Sequence, residues 1–100
     1  MTAATFTKDP NERLDYELDF ARWLPDGDTI ESATATVAST GVEEGATTAS
    51  VDAISFTDMT VRVWMLGGEA GQVATVIVSV TTAAGRIKEQ PFRLRIKESA

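Results

Sequence analysis

Apolar and polar residues alternate without interruption over residues 14–20. Leu14, Tyr16, Leu18 and Phe20 occupy every second position, and the three residues between them are acidic. Successive side chains of a β-strand point to opposite faces of the sheet, so this period of two predicts a half-buried strand. The strand is followed by turn residues at positions 26–29, which are typical of a reversal into a second strand.

Five further segments show strand-like alternation or a high content of β-branched residues, and glycine-rich or polar turns separate most of them. They comprise residues 29–39, 48–56, 59–66, 72–82 and 86–97. Phe6 adds a candidate for a short leading strand. About seven short strands with turns every 8–12 residues are typical of an immunoglobulin-like or fibronectin-III-like sandwich. We predict one all-β domain of this kind over residues 1–100, with flexible ends at 1–5 and 98–100.

Two strands are predicted to lie at sheet edges. Pro91 interrupts the last strand, and a proline, which has no N–H donor, implies an edge or a bulge. The segment 48–56 has the weakest alternation and is the other expected edge. The segment 72–82 carries apolar side chains on both faces, which fits a central strand.

The residue types present leave little chemistry for catalysis. The chain has no histidine and no cysteine, which excludes Ser-His and Cys-His nucleophilic sites. The acidic residues of the first strand share a face expected in solvent, where nothing would raise a carboxyl pKa for acid catalysis. Residues 26–28 lack the ligand series of an EF-hand, and residues 67–71 lack the lysine and helix of a phosphate loop. We predict no catalytic residue, cofactor or metal, and therefore no enzyme.

The charge and the hydropathy of the chain argue against nucleic acid and membrane as partners. The net charge is −6, and residues 1–50 carry three basic and ten acidic side chains. A short basic row at Arg93, Arg95 and Lys97 is too small for a phosphate-backbone site, so nucleic acid is not an expected partner. No apolar run approaches the roughly 20 residues of a membrane helix, and no secretory signal is visible. Synthesis in a cytosol, without membrane association, is the expectation.

The two tryptophans are candidates for contact with a partner. Trp23 precedes a turn and is expected to plug one end of the sandwich. Trp64 is in phase with Arg62, opposite the apolar positions of its strand, so it points outward if those apolar positions face the core. Exposed tryptophan and arginine are enriched in interface hot spots, although the reversed phase would bury Trp64. We take Trp64, Arg62 and Pro91 as candidate interface residues.

Short motifs in fixed order along the chain resemble a small family of tailed-phage proteins described as fibre–tail adaptor or minor virion proteins. The first half carries Lys8-Asp9-Pro10, Leu14-Asp15-Tyr16, Trp23-Leu24 and Gly27-Asp28-Thr29-Ile30. The second half carries Val63-Trp64, Gly67-Gly68-Glu69-Ala70-Gly71, Thr81-Thr82-Ala83-Ala84-Gly85-Arg86 and Phe92-Arg93-Leu94. Together these motifs extend over almost the whole chain.

The resemblance implies an immunoglobulin-like sandwich in the virion, made in the host cytoplasm and joining tail, neck or fibre proteins. It implies several copies, arranged in a ring, and no catalytic residues. A head decoration or head-completion protein is the structural alternative. An immunoglobulin-like module that binds a host-surface glycan is a second alternative, for which Trp64, Trp23 and Tyr16 would supply the aromatic platform.

Overall fold

Seven β-strands form two sheets in the computed structural model, which describes residues 4–98. The strands are β1 (Ala4–Lys8), β2 (Arg13–Asp19), β3 (Ile30–Thr40), β4 (Ala49–Phe56), β5 (Thr60–Gly67), β6 (Val73–Thr82) and β7 (Ile87–Ile96). Among the described residues there is no helix of the length and hydropathy needed to cross a membrane. The prediction of an all-β chain is confirmed, and the bounds of the six predicted strands differ from the observed ones by at most one residue.

The leading strand suggested by Phe6 is present as β1. Ala4 and Thr5, which were expected in a flexible end, instead form the start of this strand. They pair in parallel with Phe92 and Arg93 of β7. The other expected ends fall partly outside the described residues, since positions 1–3, 99 and 100 are not among them.

The strand order of the two sheets shows which strands lie at the edges. One has the order β1-β7-β6-β3 and the other the order β2-β5-β4. The predictions that 72–82 is central and that 48–56 is an edge are confirmed, and the register of β4 shifts between Val51 and Ala53. The prediction of an edge at Pro91 is wrong for the second half of β7. From Phe92 onward β7 lies between β6 and β1, because β1 pairs along that half.

The core lies between the two sheets. Alternate residues of β5 and β6 face it with no exposed surface: Val61, Val63, Met65, Ala74, Val76, Val78 and Val80. Buried side chains from both sheets belong to one hydrophobic cluster, which Phe92, Leu94 and Ile96 of β7 complete. Burial of apolar surface is the main favourable term in folding, so this shared cluster holds the sheets together.

A lysine is fully buried at one end of the core. Lys8 ends β1, has no exposed surface, and donates from Nζ to the carbonyl oxygens of Asp9 (2.8 Å) and Gly67 (2.7 Å). Burial lowers its pKa, and the nearby carboxylates of Glu12 and Asp9 oppose that shift. The buried ammonium therefore ties β1 and its following turn to the end of β5.

A buried carboxylate has the corresponding position at the opposite end. Oδ1 of Asp28 accepts from the amides of Thr29 (3.0 Å) and Ala84 (3.1 Å), and Oδ2 accepts from the Arg86 guanidinium (2.8 Å). The turn predicted over residues 26–28 is present, and Asp28 N donates to the Pro25 carbonyl at 3.1 Å. Asp28 thus joins the β2–β3 turn to the β6–β7 hairpin.

Candidate interaction surfaces

The outward face of the three-stranded sheet carries two of the predicted interface residues. In β5, Val61, Val63 and Met65 face the core, while Arg62 is exposed and Trp64 is half-buried on the other side. The predicted phase of this strand is therefore confirmed. Whether Trp64 and Arg62 contact a partner stays a prediction.

An arginine covers one face of the Trp64 ring. The guanidinium of Arg13, in β2, lies 4.3 Å from the ring centroid, which is within cation–π distance. Arg13 also forms an ion pair with Asp52, at the bulge of β4. The three side chains therefore connect all three strands of the sheet on its outward face.

A second group of charged side chains lies on the same face of the sheet. Arg62 donates to Glu17 (Nη2–Oε2 2.6 Å) and lies near Asp15 (Nε–Oδ2 3.4 Å). The hydrogen bond that Arg62 donates to Glu17 raises the pKa of Arg62, and the charge of Asp15 adds to this shift. Glu17 lies directly opposite Arg62 in the β2–β5 register.

Removal of the Arg62 side chain should change stability little. The Arg62 and Glu17 side chains are 47% and 48% exposed, and such pairs contribute little because water screens them. We expect Arg62→Ala to lower Tm, measured by circular dichroism, by at most about 6 °C. Ser55→Ala, at the position of β4 opposite Arg62, is the control. A loss of 20 °C would contradict the exposed position of Arg62.

A second surface is a groove of about 400 Å³ between the two sheets, which we call the aromatic groove. β1 covers β7 only from Phe92 onward, and the groove lies beside the first half of β7 and the open edge of β2. Its walls include Phe6, Tyr16, Phe20, Trp23, Pro91 and Phe92. Three of these rings contact one another, with the Phe6 and Tyr16 centroids 5.0 Å apart and those of Tyr16 and Phe92 5.5 Å apart.

One residue of the groove wall has a buried hydroxyl group without a hydrogen-bond partner. Tyr16 is 9% exposed, and its Oη is buried without a hydrogen-bond partner among the described residues. Burial raises the pKa of Tyr16, and the charges of Glu12 and Asp15 add to the shift. The hydroxyl therefore stays protonated at neutral pH and is a donor that lacks an acceptor.

The structure separates the three predicted interface residues. Trp64 and Arg62 share one face, whereas Pro91 lines the aromatic groove on the other sheet. Trp23 packs against the core, as expected, and also lines the groove. The alternation of β2 predicted that Tyr16 faces inward, but nothing in the sequence indicated that its hydroxyl would lack a partner.

Both surfaces suit contact with protein more than chemistry on a small molecule. Five of the thirteen residues that line the groove are aromatic, and Arg13 and Arg62 on the outward face are paired with acidic side chains. Within residues 4–98, no three His, Cys, Asp or Glu side chains are grouped so that they could hold a metal ion. Aromatic side chains and arginine dominate the energetics of protein interfaces.

Comparison with known proteins identifies a family that covers nearly the whole chain. The sequence matches the family described as "Podophage GP4 fiber-tail adaptor protein gp77" over residues 8–95. No curated protein matches the sequence. The matched range includes five complete strands, β2 to β6, all of β7 except its last residue, and the last residue of β1.

Proposed function

We propose a joining role between tail proteins for this chain, which belongs to the podophage GP4 fiber-tail adaptor protein gp77 family. Membership makes it a structural protein of a bacteriophage tail and implies a place in the virion. The match over residues 8–95 is the observation that carries the proposal. The specific role is to link fibre to tail through contacts that involve protein alone.

The absence of catalytic function is part of the same proposal. Asp15 and Glu17 of β2 are exposed and lie next to Arg62. Among the described residues that line the aromatic groove there is no serine, threonine, cysteine or histidine. These features support a binding role over an enzymatic one.

The strand order supports an immunoglobulin-type topology. In the immunoglobulin fold, strands B, E and D are neighbours in one sheet, and C, F and G in the other. Here β2-β5-β4 and β3-β6-β7 have the same two orders if the seven strands are lettered A to G. The first strand departs from the constant-domain pattern, because it pairs with β7 in place of β2. We infer an immunoglobulin-like sandwich whose first strand has crossed to the other sheet.

The outward face around Trp64 and Arg62 is the proposed contact with a neighbouring tail protein. Repeated copies in a ring would each make a modest contact, and the combined avidity would hold the junction. Half-buried Trp64 stacked under Arg13 provides a preorganised aromatic surface. Little side-chain freedom would be lost when a partner covers it.

The variant Trp64→Ala tests this contact. Because Trp64 points away from the core, we expect Tm of the purified domain to fall by only roughly 3–8 °C. Truncation of a fully buried tryptophan would instead lower the free energy of unfolding by roughly 3–5 kcal/mol. Incorporation into particles, measured by quantitative mass spectrometry of purified virions, should fall by about tenfold or more. Ile77→Ala, half-buried on the outward face of the other sheet, is the matched control. Normal incorporation of Trp64→Ala would remove this face from the junction.

A further inference from the structure

Three basic side chains form a row on the outward face of the four-stranded sheet, which we call the basic row. Arg93 and Arg95 are exposed and alternate with the buried residues of β7. Lys97 is also exposed and continues the β1–β7 ladder, since its N–H donates to the Lys8 carbonyl at 2.9 Å. Residues on one face of a strand are two positions apart, so neighbouring members of the row are separated by about 7 Å.

The basic row has no acidic partner within residues 4–98. None of its three side chains forms an ion pair there. Thr5 of β1 and Thr75 of β6, on either side of Arg93, are uncharged. The carboxylate of β7 on the same face, Glu89, comes four residues before Arg93, a distance of about 13 Å along the strand. The row is therefore open to acidic groups of another molecule.

A row of opposite sign, which we call the acidic row, lies on the outward face of the three-stranded sheet. Asp15, Glu17 and Asp19 are exposed and have the same two-residue spacing along β2. Arg62 lies near Asp15 and Glu17, whereas Asp19 forms no ion pair within residues 4–98. Three carboxylates against one guanidinium leave the acidic row with an excess of negative charge.

The two rows match in number and in spacing. Each has three charges of one sign at intervals of about 7 Å, so three ion pairs can form when one row is laid along the other. The match holds for parallel and for antiparallel strands. In both arrangements Glu17 is opposite Arg95, because each is the middle residue of its row. Complementary charges of this kind fix the register of a contact and disfavour wrong partners.

The placement of the rows selects a second copy of the chain as the partner. The rows lie on the outward faces of opposite sheets, so one copy cannot join its own rows but can offer one row to the copy on each side. Such a head-to-tail contact is heterologous, and repeated contacts of this type close into a ring when the rotation between copies allows it. Nucleic acid, another ligand for basic side chains, is disfavoured by the net charge of −6.

We propose that the basic row of one copy contacts the acidic row of the next, with Arg95 paired to Glu17, so that copies join head to tail. The proposal rests on the proposed function and names the contact between copies at the junction. Trp64 is opposite Asp15 in the β2–β5 register, so the neighbouring protein at the Trp64 face is then the next copy.

Charge reversal in virions tests the contact. Arg95→Glu and Glu17→Lys each place like charges opposite each other between copies. We expect each to lower the number of copies per particle, measured by quantitative mass spectrometry of purified virions, by about tenfold or more. The double variant restores opposite charges and should recover most of the unmodified copy number. Arg22→Glu and Glu44→Lys make the same charge changes at exposed residues outside both rows, and both should be incorporated normally.

The double variant separates assembly from folding. Each substitution changes exposed groups, so Tm measured by circular dichroism should stay within about 6 °C of the unmodified value. Glu17 and Arg95 lie on opposite faces of the domain, so restoration by the double variant cannot arise within one chain. Normal incorporation of both single variants, or a double variant no better than they are, would overturn the proposal.

The outcomes also separate this contact from the proposed function. If both single variants are incorporated normally while Trp64→Ala is not, the Trp64 face binds a different protein and the joining role stands. If the unmodified chain is missing from purified virions, the joining role itself fails.

Discussion

Lys8→Ala should lower the free energy of unfolding by about 3–5 kcal/mol. The side chain is fully buried, so its truncation removes packed methylene groups and leaves a cavity. It also removes the donor to the carbonyl oxygens of Asp9 and Gly67. A loss of this size is a large part of the roughly 5–15 kcal/mol that stabilises an ordinary domain. Urea denaturation followed by tryptophan fluorescence measures it.

Lys8→Met separates the packing from the hydrogen bonds. Methionine keeps most of the buried stem and has no donor, so we expect a smaller loss of about 1–3 kcal/mol. Lys97→Ala, at the exposed residue that follows β7, is the control and should be nearly neutral. Equal stability of Lys8→Ala and the unmodified chain would show that the ammonium is not held as described.

Asp28→Asn should have the second large effect and should change the response to acid. Burial raises the pKa of this carboxyl, but hydrogen bonds from Thr82, Ala84, Arg86 and Thr29 outweigh it and hold the pKa below its ordinary value of 3.8. A lowered folded-state pKa contributes stability above pH 3.8, which is lost as the pH falls through the folded-state value. Asparagine removes the charge, so at pH 7 we expect Tm to fall by roughly 5–15 °C.

The dependence of stability on pH tests whether the lowered pKa of Asp28 is the cause. In the unmodified chain, stability measured by urea denaturation at pH 7, 5, 4 and 3 should fall most steeply between the last two values. In Asp28→Asn, the loss of stability that comes from protonation of this carboxyl should be missing. The plot of unfolding free energy against pH should therefore be flatter below pH 4. Asp26→Asn, at an exposed residue of the same turn, should keep the steep fall. Parallel curves for Asp28→Asn and the unmodified chain would contradict the lowered pKa.

The strands were predictable because their signal is local. The alternation of β2 and β5 specified which side chains face the core, and it also specified the outward position of Trp64. The turn at residues 26–28 was predictable for the same reason, since proline, aspartate and glycine favour turns wherever they occur together.

The aromatic groove could not be predicted because it depends on how far β1 runs along β7. Within residues 4–98, β1 pairs with β7 from Phe92 onward. This parallel pairing joins the two ends of the sequence. Pro91 predicted an edge strand, but from Phe92 onward β7 pairs with both β6 and β1.

The buried polar residues were missed because their residue types suggest solvent. Lysine and aspartate are seldom buried unless they are paired, so alternation alone assigned neither Lys8 nor Asp28 to the interior. Each is held by backbone groups from a distant part of the chain: Gly67 for Lys8 and Ala84 for Asp28. Such partners become visible only when the strands are placed.

Cryo-electron microscopy of the virion tests the joining role most directly. The account predicts density for this seven-stranded domain at the junction of tail and fibre, in several copies around the tail axis. The Trp64 face should contact a neighbouring tail protein. Density for the domain only on the capsid surface, or its absence from the particle, would contradict the account.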